Sequence, residues 1–122
     1  MTEKIFKMIK ENEVKFVDFR FTDPKGKWQH TAQTVESVDE DLLKNGIMFD
    51  GSSISGWKSI NESDMILKPD LNTAVLDPFT AQPQLIIFCN VVEPSTGEMY
   101  SRCPRSTAVR ATEYLKKTGI AD

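Results

Sequence analysis

Cysteine and histidine are scarce in this sequence of 122 residues, which contains two cysteines and one histidine. Cys89 lies within an apolar run and Cys103 stands beside a proline. Two cysteines so placed form neither a disulfide framework nor a metal-binding spacing. We therefore expect a protein of the reducing cytoplasm that is not held together by disulfides.

Long apolar runs and an excess of positive charge are also missing. The longest apolar run is far too short to cross a bilayer, and Met1 is not followed by the basic and apolar segments of an export signal. The net charge is -3, and the 15 lysines and arginines form no run, which argues against nucleic-acid binding. We expect one compact domain that binds neither membranes nor nucleic acid.

The first elements that the sequence does contain are a short helix and a hairpin. Thr2 is a suitable cap for a helix with apolar residues at helical spacing, and Asn12 should end it. From Val14 to Phe21 the apolar residues alternate, which predicts a half-buried strand. The segment Asp23-Pro24-Lys25-Gly26 suits a turn, so residues 27–34 should return as the antiparallel partner.

Two further helices are expected. Ser37 and Glu40 fit a capping box, in which the Ser37 hydroxyl accepts from an N-terminal amide and Glu40 reaches back. Asn45-Gly46 should end this short helix. Pro104 fits the first position of a longer helix near the C-terminus, whose apolar stripe consists of Ala108, Ala111 and Leu115.

Three more strands complete the expected sheet. Residues 65–69 and 73–76 predict two short edge strands. Residues 84–92 read QLIIFCNVV, an apolar run that is typical of a central strand covered on both sides. Since the only long amphipathic helix comes last, we expect an α+β fold rather than a doubly wound sheet. Its core would be a β-grasp-like mixed sheet with short crossing helices, followed by a C-terminal linker helix.

Residues 46–63 show neither helical nor strand periodicity. They include MFDGSSISGW at 48–57, where Asp50-Gly51 suits a sharp turn because glycine accepts a positive φ and aspartate bonds to nearby backbone. Exposed loops usually avoid large apolar side chains, but this one carries Met48, Phe49, Ile54 and Trp57. We therefore expect a functional loop that docks against another surface.

Two other candidate sites have simpler interpretations. Residues 51–59 fail as a phosphate-binding P-loop because Trp57 separates Gly56 from Lys58 and no long amphipathic helix follows. His30 has no visible cysteine or carboxylate partner in the sequence. It is expected to be a half-buried strand residue rather than a ligand or a base.

Metal binding and thiol chemistry are also less favoured. Asn61, Glu62 and Asp64 could hold a cation together, but two carboxylates in a polar loop are more often solvated or capping groups. Cys89 is most simply a small core residue of the central strand.

Asp50 leaves two interpretations open. It could be a turn-forming residue and nothing more. Alternatively, a carboxylate beside Ser52 and Ser53, partly desolvated by Phe49 and Trp57, could bind a small cation and accept a proton from it. The residues by themselves do not decide between the two.

Four stretches of this chain resemble the N-terminal domain of bacterial type I glutamine synthetase, in the family's order and spacing. They are VKFVDFRFTDPKGKWQH at 14–30, GIMFDGSSISGW at 46–57, INESDM at 60–65, and the PRS and GIAD of the last helix. The resemblance implies a β-grasp domain over residues 1–103 and, over residues 104–122, a helix leading toward a catalytic domain.

The family's activity is the ATP-dependent joining of glutamate and ammonia through γ-glutamyl phosphate, in a homo-oligomeric ring. The resemblance implies that Asp50 helps to bind ammonium and deprotonates it, and that Ser53 lines the same pocket. Phe49, Ile54 and Trp57 would dock on the catalytic domain of the adjacent subunit. ATP and Mg or Mn would be cofactors of the parent enzyme, with none bound by this part of it.

The chain departs from the family pattern in two ways. Cys103 stands where the family usually has aspartate, so a helix cap worth about 1 kcal/mol is lost. The sequence also stops before the family's catalytic domain, so we expect a fragment without synthetase activity of its own. The alternative is a free-standing β-grasp interaction module that binds a partner through Ile54 and Trp57 and needs no Asp50 chemistry.

Overall fold

The computed structural model describes residues 2–23, 27–50, 64–79, 81–94, 99 and 104–119, and for Asp50 only the main chain. The helices are α1 Thr2–Glu11, α2 Glu40–Asn45 and α3 Pro104–Thr118. The strands are β1 Phe16–Thr22, β2 Trp28–Thr34, β3 Ile47–Asp50, β4 Asp64–Pro69, β5 Val75–Leu76 and β6 Gln84–Val92. None of the helices in these ranges is both long and apolar enough to cross a membrane.

The strands form one mixed sheet with the order β2-β1-β6-β4-β3, and β5 pairs with β6. β1 and β6 are parallel, whereas the other pairs are antiparallel. The predicted central place of β6 and the predicted β1–β2 hairpin are confirmed. The prediction that residues 65–69 form an edge strand is wrong, because β4 lies between β6 and β3. The α+β class with a mixed sheet is confirmed.

The hydrophobic core covers one face of this sheet. Val17, Phe19 and Phe21 alternate along β1 and are all buried, as the period of two requires. They join the buried apolar residues of α1, α2, β4 and β6 in one cluster. The same strand also buries Asp18 on its other face, so the prediction of a strand with one buried face is incomplete.

The cap of α2 lies two residues beyond the predicted one. The Asp39 carboxylate accepts a hydrogen bond from the Leu42 backbone N–H at 2.8 Å, and Asp39 has the extended backbone of an N-cap. Ser37 instead lies in a short 3-10 turn, where its hydroxyl donates to the Thr34 carbonyl. The prediction of a Ser37 capping box is wrong, because aspartate offers an equally good acceptor directly before the first helical residue.

Helix α3 begins at Pro104 as predicted, and its predicted apolar stripe is not covered by the described part of the chain. Ala108, Ala111 and Leu115 are exposed, whereas Ser106 in the first turn is 1% exposed. Arg105 in the same turn pairs with Asp70 at 2.6 Å. Among the described residues, the helix is therefore held to the sheet chiefly through its first turn.

Candidate functional site

Asp50 ends strand β3 instead of standing in an irregular loop. β3 pairs with β4 in a register that runs from Ile47 opposite Leu67 to Asp50 opposite Asp64. The prediction that residues 46–63 lack strand structure is therefore wrong for 47–50. Met48 is 63% exposed and yet apolar, so three consecutive apolar residues concealed the two-residue period.

The rest of the predicted loop lies outside the described residues. This applies to Ser53, Ile54 and Trp57, to which the resemblance assigns roles, and to Ser52, Asn61 and Glu62. Their roles stay predictions, as does the role of the Asp50 carboxylate. What the structure provides is the main-chain position at which the motif begins.

Phe49, the residue directly before Asp50, packs within this chain. Phe49 is half-buried and packs on Phe21, with the ring centroids 5.3 Å apart and the rings tilted by 43°. It also lies against the hydrophobic core, so it supports β3 from within this chain. Docking of Phe49 on another subunit stays a prediction, and the within-chain contact gives this ring a second, structural role.

A cleft of about 320 Å³ lies beside β3. Polar residues of β2 line one part of it, and Ile47, Met48 and Phe49 line another. The polar residues are Gln29, His30, Thr31 and Gln33. β2 and β3, the first and last strands of the sheet order, therefore line one cleft. It offers hydrogen-bonding groups beside an apolar wall.

A buried charge cluster on the sheet face opposite the core was not predicted. Asp18 is 2% exposed, and its carboxylate accepts from Arg20 Nε at 2.8 Å and bonds to His30 Nδ1 at 2.8 Å. The side chain of His30 is 66% exposed. His30 therefore has a carboxylate partner that was not visible in the sequence, and the prediction that it is half-buried is wrong.

The hairpin register explains this cluster. Arg20 lies directly opposite His30 and Asp18 lies opposite Ala32, so Asp18 and His30 are diagonal neighbours on one face, within reach of long side chains. Side chains alternate between the two faces along both strands, so aligning the strands across the predicted turn could have predicted this contact. Arg20 also lies 5.6 Å from the ring centroid of Trp28.

Neither a reactive thiol nor a metal cluster is found in the described part of the chain. Cys89 is fully buried, and burial raises the pKa of its thiol to about 12. It is therefore protonated at neutral pH and acts as a core residue, as predicted. No three His, Cys, Asp or Glu side chains in the described ranges could hold a metal ion together.

The mixed sheet with its helices defines a β-grasp domain, and strand β3 carries the start of the MFDGSS stretch. Residues 13–94 match the family described as glutamine synthetase, beta-Grasp domain. The match covers more than half of the sequence and includes Asp50. The chain belongs to this family.

Related proteins agree with this assignment. The glutamine synthetase of Azospirillum brasilense is 63% identical over 119 residues, which are 98% of this chain and 25% of that protein. The 3-hydroxylaminophenol mutase of Cupriavidus pinatubonensis is 57% identical over 118 residues, again 25% of its length. The glutamine synthetase structure of Plasmodium falciparum matches 98% of this chain and 23% of its own, with a TM-score of 0.86 and 26% identity. The chain thus spans about a quarter of the length of these relatives.

Proposed function

We propose that this chain acts as the β-grasp domain of a glutamine synthetase and supplies the ammonium-binding part of an active site between two subunits. The family match over residues 13–94 carries this proposal, since it includes the MFD motif on strand β3. The domain division after residue 103 belongs to the same proposal. On this view the chain has no synthetase activity by itself.

The proposed chemistry needs a base at the ammonium site. Ammonium has no lone pair and must lose a proton before its nitrogen can attack the carbonyl carbon of γ-glutamyl phosphate. The Asp50 carboxylate would attract the cation and accept that proton, and Ser53 would line the pocket. A positioned general base of this kind contributes about 10²- to 10⁴-fold in rate.

The remaining parts of the reaction would come from outside this chain. ATP, Mg or Mn and glutamate would be bound by the catalytic domain of the adjacent subunit in a cytoplasmic ring assembly. Phe49, Ile54 and Trp57 would dock against that domain. Phe49 packs on Phe21 but is only half-buried, which is compatible with this role.

Substitution of Asp50 in a full-length synthetase that contains this domain tests the proposal. We expect Asp50→Asn to lower kcat/KM for ammonium by about 10²-fold or more, because the amide cannot accept the proton. The KM values for glutamate and ATP should stay nearly unchanged. The matched control is Asp41→Asn, the same substitution on the exposed side of α2, which should leave all three substrates unaffected.

The opposite result would favour an interaction module. If Asp50→Asn leaves ammonium use unchanged and Trp57→Ala prevents assembly, the loop is adhesive and takes no part in the chemistry. Steady-state kinetics with each substrate varied in turn, together with the size of the assembly in solution, separates the two outcomes.

A further inference from the structure

Gly46 joins α2 directly to β3 in a backbone conformation that favours glycine. Its φ is 90° and its ψ is -171°, a combination in which an L side chain is strained. Its N–H donates to the carbonyl of Leu42 at 2.8 Å and so closes the helix. The next residue, Ile47, already belongs to the strand. One residue therefore ends the helix and begins the strand, without a connecting loop.

Position 46 also has no room for a side chain. A Cβ built there would overlap the carbonyl oxygen of Leu67 and would lie 2.8 Å from Ile66 Cγ2. The Leu67 carbonyl is part of the main chain of β4, so a change of rotamer cannot remove the overlap. A side chain at this position must move β3 relative to β4 or open the end of α2.

Asp50 lies four residues further along the same short strand. The β3–β4 register begins at Ile47 opposite Leu67 and ends at Asp50 opposite Asp64. At about 3.4 Å per residue, Asp50 is only about 14 Å from Gly46. Because β3 pairs with β4 over this whole length, a displacement next to Leu67 is transmitted to the main chain of Asp50.

A second contact holds the strand just before Asp50. The ring of Phe49 rests on Phe21, and Ile47 packs against the same core as Phe49. Phe21 therefore supports the strand from the core side, while Gly46 sets how closely it approaches β4. Together these contacts fix the main chain at the point where the MFD motif ends.

We propose that Gly46 is a positioning residue for ammonium use, since its missing side chain lets β3 lie where Asp50 can act. The inference rests on the proposed role of Asp50 as the base. Proton transfer requires the two heavy atoms to lie within hydrogen-bond reach, and an error of about 1 Å in such geometry can cost about 10²-fold. Gly46 acts through Asp50 and does not touch the substrate.

The test is Gly46→Ala in a full-length synthetase that contains this domain. Gly119→Ala is the matched control, because Gly119 also has a positive φ, 72°, but among the described residues no atom beyond its chain neighbours lies within 4 Å of its ideal Cβ. We expect Gly46→Ala to lower kcat/KM for ammonium by about 10- to 100-fold, with KM for glutamate and ATP changed by less than about twofold. Gly119→Ala should leave all three nearly unchanged. Normal ammonium kinetics in Gly46→Ala would overturn the proposal.

A second pair of variants covers the case in which Gly46→Ala does not assemble. Phe21→Leu removes the ring that supports Phe49, and Phe19→Leu makes the same change two residues earlier on the same buried face. Phe21→Leu should lower kcat/KM for ammonium selectively, as Gly46→Ala does, whereas Phe19→Leu should not. Equal losses for all three substrates in both variants would indicate a general loss of stability and would overturn the proposal.

Amide hydrogen exchange separates this inference from the proposed function. If Asp50→Asn leaves ammonium use unchanged, the proposed function fails, but the placement of β3 can still be measured. In Gly46→Ala or Phe21→Leu the amides of residues 47–50 should exchange at least about tenfold faster, relative to those of β1, than in the parent. Unchanged exchange in β3 would overturn the positioning role whatever Asp50 does.

Discussion

The Asp18 carboxylate is buried in the sheet and is held by two donors, Arg20 and His30, each at 2.8 Å. Arg20 in turn lies 3.9 Å from Asp77 and over the ring of Trp28. A buried charge of this kind is stable only while its partners are present, because the cost of removing it from water is large. The cluster therefore ties β1 to β2 and to the start of the turn after β5.

Removing this carboxylate should destabilise the domain. We expect Asp18→Asn to lower the free energy of unfolding by about 3 kcal/mol, because it removes the nearer carboxylate from the partly buried Arg20 and leaves it only Asp77, at 3.9 Å. The measurement is urea denaturation of the purified chain. His30→Gln is the control and should cost less than about 1 kcal/mol, since this ring is largely exposed. Equal effects of the two variants would contradict a structural role for the buried charge.

At the scale of single residues, the sequence shows which side chains could react more readily than it shows which residues hold them in place. Asp50 is a candidate base because its motif resembles the family's, since the residue types alone also fit a turn-forming aspartate, and its role stays a prediction. Asn45-Gly46 predicted the end of α2, but the lack of room for a side chain at position 46 depends on the carbonyl of Leu67, about twenty positions later in the sequence. Such a contact exists only after β3 and β4 have paired, so no local pattern predicts it.

Among the elements, α3 differs from the rest in how it is attached. Arg105 donates from one guanidinium nitrogen to Asp70 at 2.6 Å and from Nε to the Asn90 side chain at 2.8 Å. Asn90 belongs to the central strand β6, and Asp70 directly follows β4. This charged clamp at the first turn holds the helix to the sheet, while the following turns are largely exposed.

The clamp predicts how the helix responds to mutation. Arg105→Met keeps an unbranched apolar stem but loses the charged hydrogen bonds, which should speed amide exchange in the first turns of α3 by about tenfold, or about 1.4 kcal/mol. Hydrogen exchange with mass spectrometry measures this. The matched control is Arg110→Met, since Arg110 is exposed and donates to Thr107 of the same helix. Unchanged protection of α3 in Arg105→Met would show that the clamp is not what holds the helix.

The elements show where sequence patterns succeed and where they fail. Pro104 and the apolar spacing predict helix α3, but nothing in the described part of the chain covers its apolar stripe. An amphipathic pattern indicates that a face prefers burial and does not identify the partner. The cap of α2 was displaced by two residues because Ser37 and Asp39 are both acceptable caps and only the backbone decides between them.

For the whole molecule, two patterns predicted part of the architecture. Alternation in residues 14–21 followed by a turn sequence predicted the β1–β2 hairpin, and the apolar run at 84–92 predicted the central strand β6. The parallel pairing of β1 with β6 joins residues that are far apart in the sequence, such as Val17 and Leu85. The sequence predicted a mixed sheet but not which strands are parallel. Strand β3 was missed because four residues are too few to establish a period when three of them are apolar.

At the same scale, the domain corresponds to only part of its relatives. The chain spans about a quarter of the length of its relatives, and one of those relatives is named a mutase. The fold by itself therefore does not specify a reaction. The specific claim concerns the strand β3, which would bring an acid on one subunit to an active site on the next.

Complementation between subunits tests that claim most directly. Two full-length variants, one with Asp50→Asn and one with an inactivated catalytic domain, are dissociated, mixed in equal amounts and reassembled. If the site is shared between neighbours, about one quarter of the interfaces regain both intact halves, and we predict that about this share of the parent's glutamine formation returns. Mixed assemblies that stay as inactive as each variant by itself would contradict the shared site.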